Sequence, residues 1–171
     1  LSTCKNSKSG ILYPFVATAL YTGMRKDELF HLEWSDVDFE GKVIRVQPKE
    51  DWHTKNYKMR TIPTHPRLAK ILGAHRPYQG CPYVFYNSRG DVLADIRTGF
   101  NNAIKEAGIP HVTFHELRHT FASHMVMKGV DLATVQQHLG HADIQTTMRY
   151  SHLAPAHVQQ SVQVLDWETS N

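Results

Sequence analysis

The stretch His115-Glu116-Leu117-Arg118-His119 fits two different chemistries. As H-E-x-x-H on a helix, it offers His115 and His119 as zinc ligands one turn apart, with Glu116 as base. As H-x-L-R, it places His115 and Arg118 at i and i+3, where both can reach one phosphate. A guanidinium is a planar fork matched to phosphate oxygens and keeps its charge, while an imidazole donates or moves a proton near neutral pH. A catalytic zinc needs a third protein ligand. The extended zinc motif asks for glycine at 122 and histidine at 125, where the chain has Ala122 and Met125; His124 is one residue off, and the only downstream glutamate is Glu168. The fixed charge of Arg118 between the two histidines also opposes a dication. The zinc chemistry fits poorly, and the histidine–arginine pair taken alone is more often an ordinary surface or core-edge pair than a phosphate site.

Two further stretches carry the same kind of residue. In Thr22-Gly23-Met24-Arg25, an arginine follows a glycine that ends one helix and precedes the next, with Glu28 three residues on. In Leu139-Gly140-His141, a histidine follows another helix-ending glycine, and Tyr150 lies nine residues later. Each has an ordinary alternative when taken alone: Tyr150, one of seven tyrosines, as a packing residue, Arg25 as an ion-pair partner of Glu28, His141 as a capping residue.

The elements that must position these residues are mostly helical. Helices are expected over 11–20 (with Pro14 in the first turn and Gly23 as stop), 26–34, 67–74, 95–107, 115–128 and 131–139, the last with Asp131 as N-cap and Gly140 past its end. A further helix starting near Asp143 carries Thr147 and Tyr150. Between the second and third helices, 36–46 alternates around Glu40-Gly41 as a hairpin, and 59–63 ends a third strand at Pro63. The polar run 48–58 connects them, and "YVFY" is a short extended piece before the turn Asn87–Gly90. The fold class is mainly α with a small antiparallel β-sheet (α+β).

The 171 residues suit one domain with its own core. There is no apolar run long enough to span a bilayer and no signal-peptide pattern. Two distant cysteines, Cys4 and Cys81, fit a reducing cytoplasm. The net charge of +3 is mild, but its distribution is uneven. Residues 26–40 are acidic, whereas 42–76 are rich in Lys and Arg interleaved with Trp52, His53, Tyr57 and His65, a pattern suited to a phosphate backbone.

Together these stretches closely resemble the tyrosine recombinase, or phage integrase, family. The matches are T-G-x-R-x-x-E-L at Thr22 to Leu29, H-x-L-R-H at His115 to His119, and L-G-H followed by T-x-x-x-Y at Leu139 to Tyr150. A fourth, "TKNYKMRTIP", looks like the family's strand-loop-strand lysine element with Lys55 in the lysine position, and the whole resemblance runs from about Leu12 to His152. It implies a tyrosine recombinase catalytic domain that cuts and rejoins DNA strands site-specifically, without metal, ATP or other cofactor. Tyr150 would attack a phosphodiester to give a 3′-phosphotyrosyl intermediate and a free 5′-hydroxyl. Arg25 and Arg118 would clamp the non-bridging oxygens, His141 would hydrogen-bond the phosphate, and His115 would assist proton transfer around the tyrosine. Lys55 would protonate the leaving 5′-oxygen; Lys58 and Arg60 compete for that role and, with Lys49, are candidate DNA-backbone contacts. Glu28 would orient an arginine or its helix, and His119 would support the site.

The resemblance further implies that 1–171 is the catalytic half of a DNA clamp, with a flexible start at 1–10 and an N-terminal core-binding domain lying outside this chain. The segment 154–171, with Val158, Val162 and Leu165 on one stripe, would be a tail that packs on its own core or, as the resemblance favours, docks on a neighbouring protomer. The partner would be double-stranded DNA, met by a free monomer that assembles as a homotetramer in the cytoplasm of a bacterial or phage-infected cell. A DNA-binding module without chemistry and a zinc hydrolase are the competing expectations.

Overall fold

The computed structural model describes residues 1–7, 10–49, 52–53, 59–75 and 77–154. Among these residues, seven α-helices, α1 (Leu12–Thr22), α2 (Lys26–Phe30), α3 (Pro66–Ala74), α4 (Arg97–Glu106), α5 (Phe114–Met127), α6 (Leu132–Leu139) and α7 (Gln145–Met148), surround a sheet of β1 (Val37–Asp38), β2 (Val43–Val46) and β3 (Arg60–Pro63). The strands are antiparallel in the order β1-β2-β3, with Ile44 opposite Ile62 and Val46 opposite Arg60. A small antiparallel sheet among helices is thus the observed architecture, as the sequence predicts.

The central element is α1. Eight of its residues are buried, among them Leu12, Phe15, Val16 and Ala19, so it is apolar nearly all round rather than on one stripe. Its two buried threonines satisfy their hydroxyls within the helix: Thr18 Oγ1 donates to the Pro14 carbonyl at 2.8 Å and Thr22 Oγ1 to the Thr18 carbonyl at 2.6 Å. Phe15 packs against the rings of Phe30, Phe85 and Phe114, tying α1 to α2, the 83–86 segment and α5. A second, smaller cluster of Phe121, Ala122, Val126, Val135, Leu139 and Tyr150 lies between α5 and α6.

Two departures from the expected elements have physical causes. The helix expected over 26–34 stops at Phe30, because the following residues hydrogen-bond elsewhere: Trp34 N–H donates to the Pro82 carbonyl at 2.9 Å, and Val84 N–H to the Leu32 carbonyl at 2.8 Å. The helix expected from Asp143 runs only over Gln145–Met148, and Tyr150 follows in a tight turn whose N–H donates to the Thr147 carbonyl at 3.0 Å. Near the start, Thr3–Asn6 form a short 3-10 helix; Cys4 is buried and Asn6 Nδ2 donates to Glu106 Oε1 at 2.7 Å. The tail stripe of Val158, Val162 and Leu165 lies outside the described residues.

The base of the sheet is held by charge. Asp36 is buried and takes Lys49 Nζ at 2.7 Å and Gln47 Nε2 at 2.8 Å, while Glu33 takes the same ammonium at 3.1 Å. No described helix is long and apolar enough to cross a membrane.

Candidate active site

Arg118 organises the site. It is 4% exposed and projects from the second turn of α5 toward the ends of two other helices. Its Nη1 donates to the Gly23 carbonyl and its Nη2 to the Leu139 carbonyl, each at 2.6 Å. The last carbonyls of a helix lack partners within it and carry the negative end of its dipole. One guanidinium therefore satisfies the C-terminal ends of both α1 and α6. Burial, followed by the nearby charge of Arg25, pulls its pKa down to about 9, so it remains a cation at neutral pH.

The two helix ends explain why functional candidates follow glycines. Gly23 and Gly140 both adopt left-handed backbone, with φ of 63° and 64°, a conformation glycine takes at no steric cost. Each turns the chain sharply around the Arg118 guanidinium, delivering Arg25 after the first and His141 after the second. Arg25 Nη2 reaches the Gly140 carbonyl at 3.5 Å, so the two exits meet.

Arg25 is set by Glu28, whose carboxylate accepts from Arg25 Nη1 at 3.0 Å and from the Arg25 N–H at 2.8 Å. Glu28 also takes both terminal nitrogens of Arg60, at 2.8 and 2.6 Å, and Arg60 Nε donates to the His138 carbonyl at 3.0 Å. Burial alone would raise the Glu28 pKa, but the Arg60 bonds and the two guanidinium charges override it and hold the carboxylate below its usual range.

Arg60 and Lys49, expected as DNA-backbone contacts, have partners within the fold. Arg60 is a link among β3, α2 and the end of α6 rather than a free surface cation. The Lys49 ammonium is neutralised by Asp36 and Glu33, and Arg45 is paired with Asp38 at 2.6 Å, so the basic block is partly satisfied from within. Lys55 and Lys58 lie outside the described residues.

His141 Nδ1 shares a hydrogen bond with Thr147 Oγ1 at 2.9 Å. Burial, then the charges of Arg118, Arg25, Arg149 and Arg60, lowers its pKa to about 4, leaving a neutral ring that offers one N–H. Tyr150 is 5% exposed, and its hydroxyl hydrogen-bonds His119 Nδ1. Burial raises the phenol pKa against the opposing pull of Arg149 and Arg118. His115 is exposed on the same face of α5, with its ring edge-on to His119 at 4.4 Å.

Glu116 is not placed as a zincin-type base. Its carboxylate accepts from the Thr113 N–H, and the Thr113 side chain accepts from the Glu116 N–H, forming a capping box at the start of α5. Among the described residues, no three His, Cys, Asp or Glu side chains gather as metal ligands.

The structure thus brings Arg25, Arg118, His141, His119 and Tyr150 to one seam, with His115 at its edge. Sequence reasoning did not reach the two carbonyls that hold Arg118 or the Thr147 hydroxyl on His141, and it named Arg60 as a candidate for the leaving-group role and for DNA-backbone contact rather than as the partner of Glu28. Chemically, the seam combines fixed cations with neutral imidazoles around a protonated phenol, a setting suited to an anionic oxyacid ester.

The chain matches the phage integrase family over residues 1–157. It is 33% identical over 158 residues to the tyrosine recombinase XerC of Staphylococcus saprophyticus, covering 86% of this chain and 51% of that protein. It is 31% identical over 163 residues to the integrase of Salmonella phage P22, covering 88% of this chain and 41% of the other. The chain thus spans about half the length of these curated relatives or less. The catalytic domain of bacteriophage HP1 integrase superposes with a TM-score of 0.74 at 30% identity, over 98% of this chain and 90% of that one. With the family pattern matched over nearly the whole chain and the fold that of an integrase catalytic domain, this protein belongs to the phage integrase family.

Proposed function

We propose that this chain cuts and rejoins DNA strands as the catalytic domain of a site-specific recombinase. The observation that carries the reading is the convergence of Arg25, Arg118, His141 and Tyr150, from separate stretches of chain, around one seam that fixed cations dominate. In the proposed reaction the Tyr150 oxygen attacks a DNA phosphorus. An O–P bond to the tyrosine forms, the bond to the 5′-oxygen breaks, and a 3′-phosphotyrosyl linkage and a 5′-hydroxyl result. Charge develops on the non-bridging oxygens, where Arg25 and Arg118 donate from fixed positions and need no reorganisation. The neutral His141 adds an N–H. Lys55 protonates the departing 5′-oxygen. Covalent capture conserves the bond energy, so the reverse attack reseals a strand without ATP.

Double-stranded DNA is the proposed substrate, and the fixed cations of the seam, Arg25 and Arg118, suit its phosphates. A free monomer assembling as a tetramer on DNA, a 154–171 tail docked in trans, and action in the cytoplasm complete the proposal.

The test is a covalent trap. A pool of nicked duplexes with randomised cores is incubated with the protein in EDTA and run on a denaturing gel. A DNA-shifted protein band that disappears in Tyr150→Phe is expected. DNA binding without any band would overturn the chemistry in favour of a non-catalytic DNA-binding module, and a reaction abolished by the chelator would overturn its metal-free character.

A further inference from the structure

We propose that His119, rather than His115, receives the phenolic proton of Tyr150 as that oxygen attacks phosphorus. The inference deepens the functional reading above and rests on it. His119 is the imidazole in direct contact with the nucleophile, through Nδ1 to the Tyr150 hydroxyl. Among the described residues His115 makes no hydrogen bond to Tyr150; it is exposed and meets the edge of the His119 ring at an interplanar angle of 89°. The adjacent positions 118 and 119 point about 100° apart on α5, so one helix turn directs Arg118 to the ends of α1 and α6 and His119 to the nucleophile.

The charges around the pair fit this role. Burial first, then His115 on its own helix, Arg149 beside the tyrosine and Arg118, lower the His119 pKa. Glu116 opposes them, but its carboxylate is turned to the Thr113 N–H. The His119 ring is therefore neutral near pH 7 and able to accept, while burial keeps the phenol protonated and in need of an acceptor. The step balances: the proton moves from the Tyr150 oxygen to His119 Nδ1, the tyrosyl O–P bond forms as the P–O5′ bond breaks, and the leaving oxygen takes its proton from Lys55. On resealing, His119 returns the proton to Tyr150.

Two measurements test the assignment. In the first, 3-fluorotyrosine replaces Tyr150 and its 19F signal is titrated without DNA. The midpoint should move in His119→Asn, which can still hydrogen-bond but accepts no proton, and stay in place in His115→Asn; an unmoved midpoint in His119→Asn would overturn the proposal. In the second, covalent capture is followed against pH on ordinary nicked DNA and on DNA with sulfur at the bridging 5′ position, a leaving group that needs no protonation. His119→Asn should slow capture on both substrates by at least about 10²-fold and lose the acid limb of the profile. Rescue by the sulfur substrate, or an acid limb retained in His119→Asn and lost in His115→Asn, would overturn the assignment. A moved 19F midpoint with no capture by the unmutated protein would instead bring down the functional reading, and the catalytic role with it, leaving the pair a structural contact.

Discussion

Glu28 sets one negative charge against two arginines, Arg25 and Arg60, in a nearly water-free position. A buried ion pair adds little compared with well-packed apolar residues, but removing one partner leaves uncompensated charge. Glu28→Gln should therefore cost roughly 3–5 kcal/mol in urea unfolding; a loss below about 1 kcal/mol would show that the arginines are solvated independently of it. His141 has the opposite linkage to the usual paired histidine. Its folded pKa of about 4 lies below the ordinary value of 6.5. Between those values the folded state binds fewer protons than the unfolded one, so stability is present above pH 6.5 and lost as pH falls toward 4. The contribution is on the order of 2 kcal/mol for a partly shielded ring. His141→Asn should accordingly flatten the fall of Tm across that window, and an unchanged slope would refute the linkage.

At the scale of elements, the site depends on two left-handed glycine turns of unequal tolerance. A Cβ on Gly140 would meet the Arg60 side chain at 3.0 Å, a contact relieved by a displacement of only a few tenths of an ångström. A Cβ on Gly23 would lie 2.5 Å from the Phe121 ring and 2.9 Å from Leu139, inside the cluster beneath Tyr150. Gly140→Ala should cost about 1–2 kcal/mol for the backbone alone, and Gly23→Ala about 3 kcal/mol or more once overpacking is added. Chemical denaturation of the two variants checks the order, and equal losses would contradict it. These turns were legible in the sequence because glycine is the residue that adopts positive φ cheaply, and so were the Asp131 cap and the hairpin at Glu40-Gly41. The extent of α2 was not, since the segment that captures residues 32–34 lies about fifty positions away at 82–84. The true setting of Lys49 was hidden for the same reason: its neutralising carboxylates, Asp36 and Glu33, are brought to it by folding of the sheet. The burial of α1 on all sides left no helical period to read, and only its terminal signals marked it.

At the scale of the whole molecule, α1, α5 and α6 converge on Arg118, and the turns leaving α1 and α6 present Arg25 and His141 to one point while the turn after α7 presents Tyr150. The family motifs made the identities of these residues legible, but not the main-chain carbonyls that seat Arg118, since carbonyls have no letter in a sequence. In the proposed reaction the phenolic oxygen of Tyr150 becomes bonded to DNA phosphorus. To observe that bond, the adduct is trapped on nicked DNA in EDTA, digested with nuclease and protease, and the residual nucleotide located by mass spectrometry. A nucleotide linked through its 3′-phosphate to Tyr150 is expected. A nucleotide on any other residue, or one linked through a 5′-phosphate, would contradict the proposed reaction.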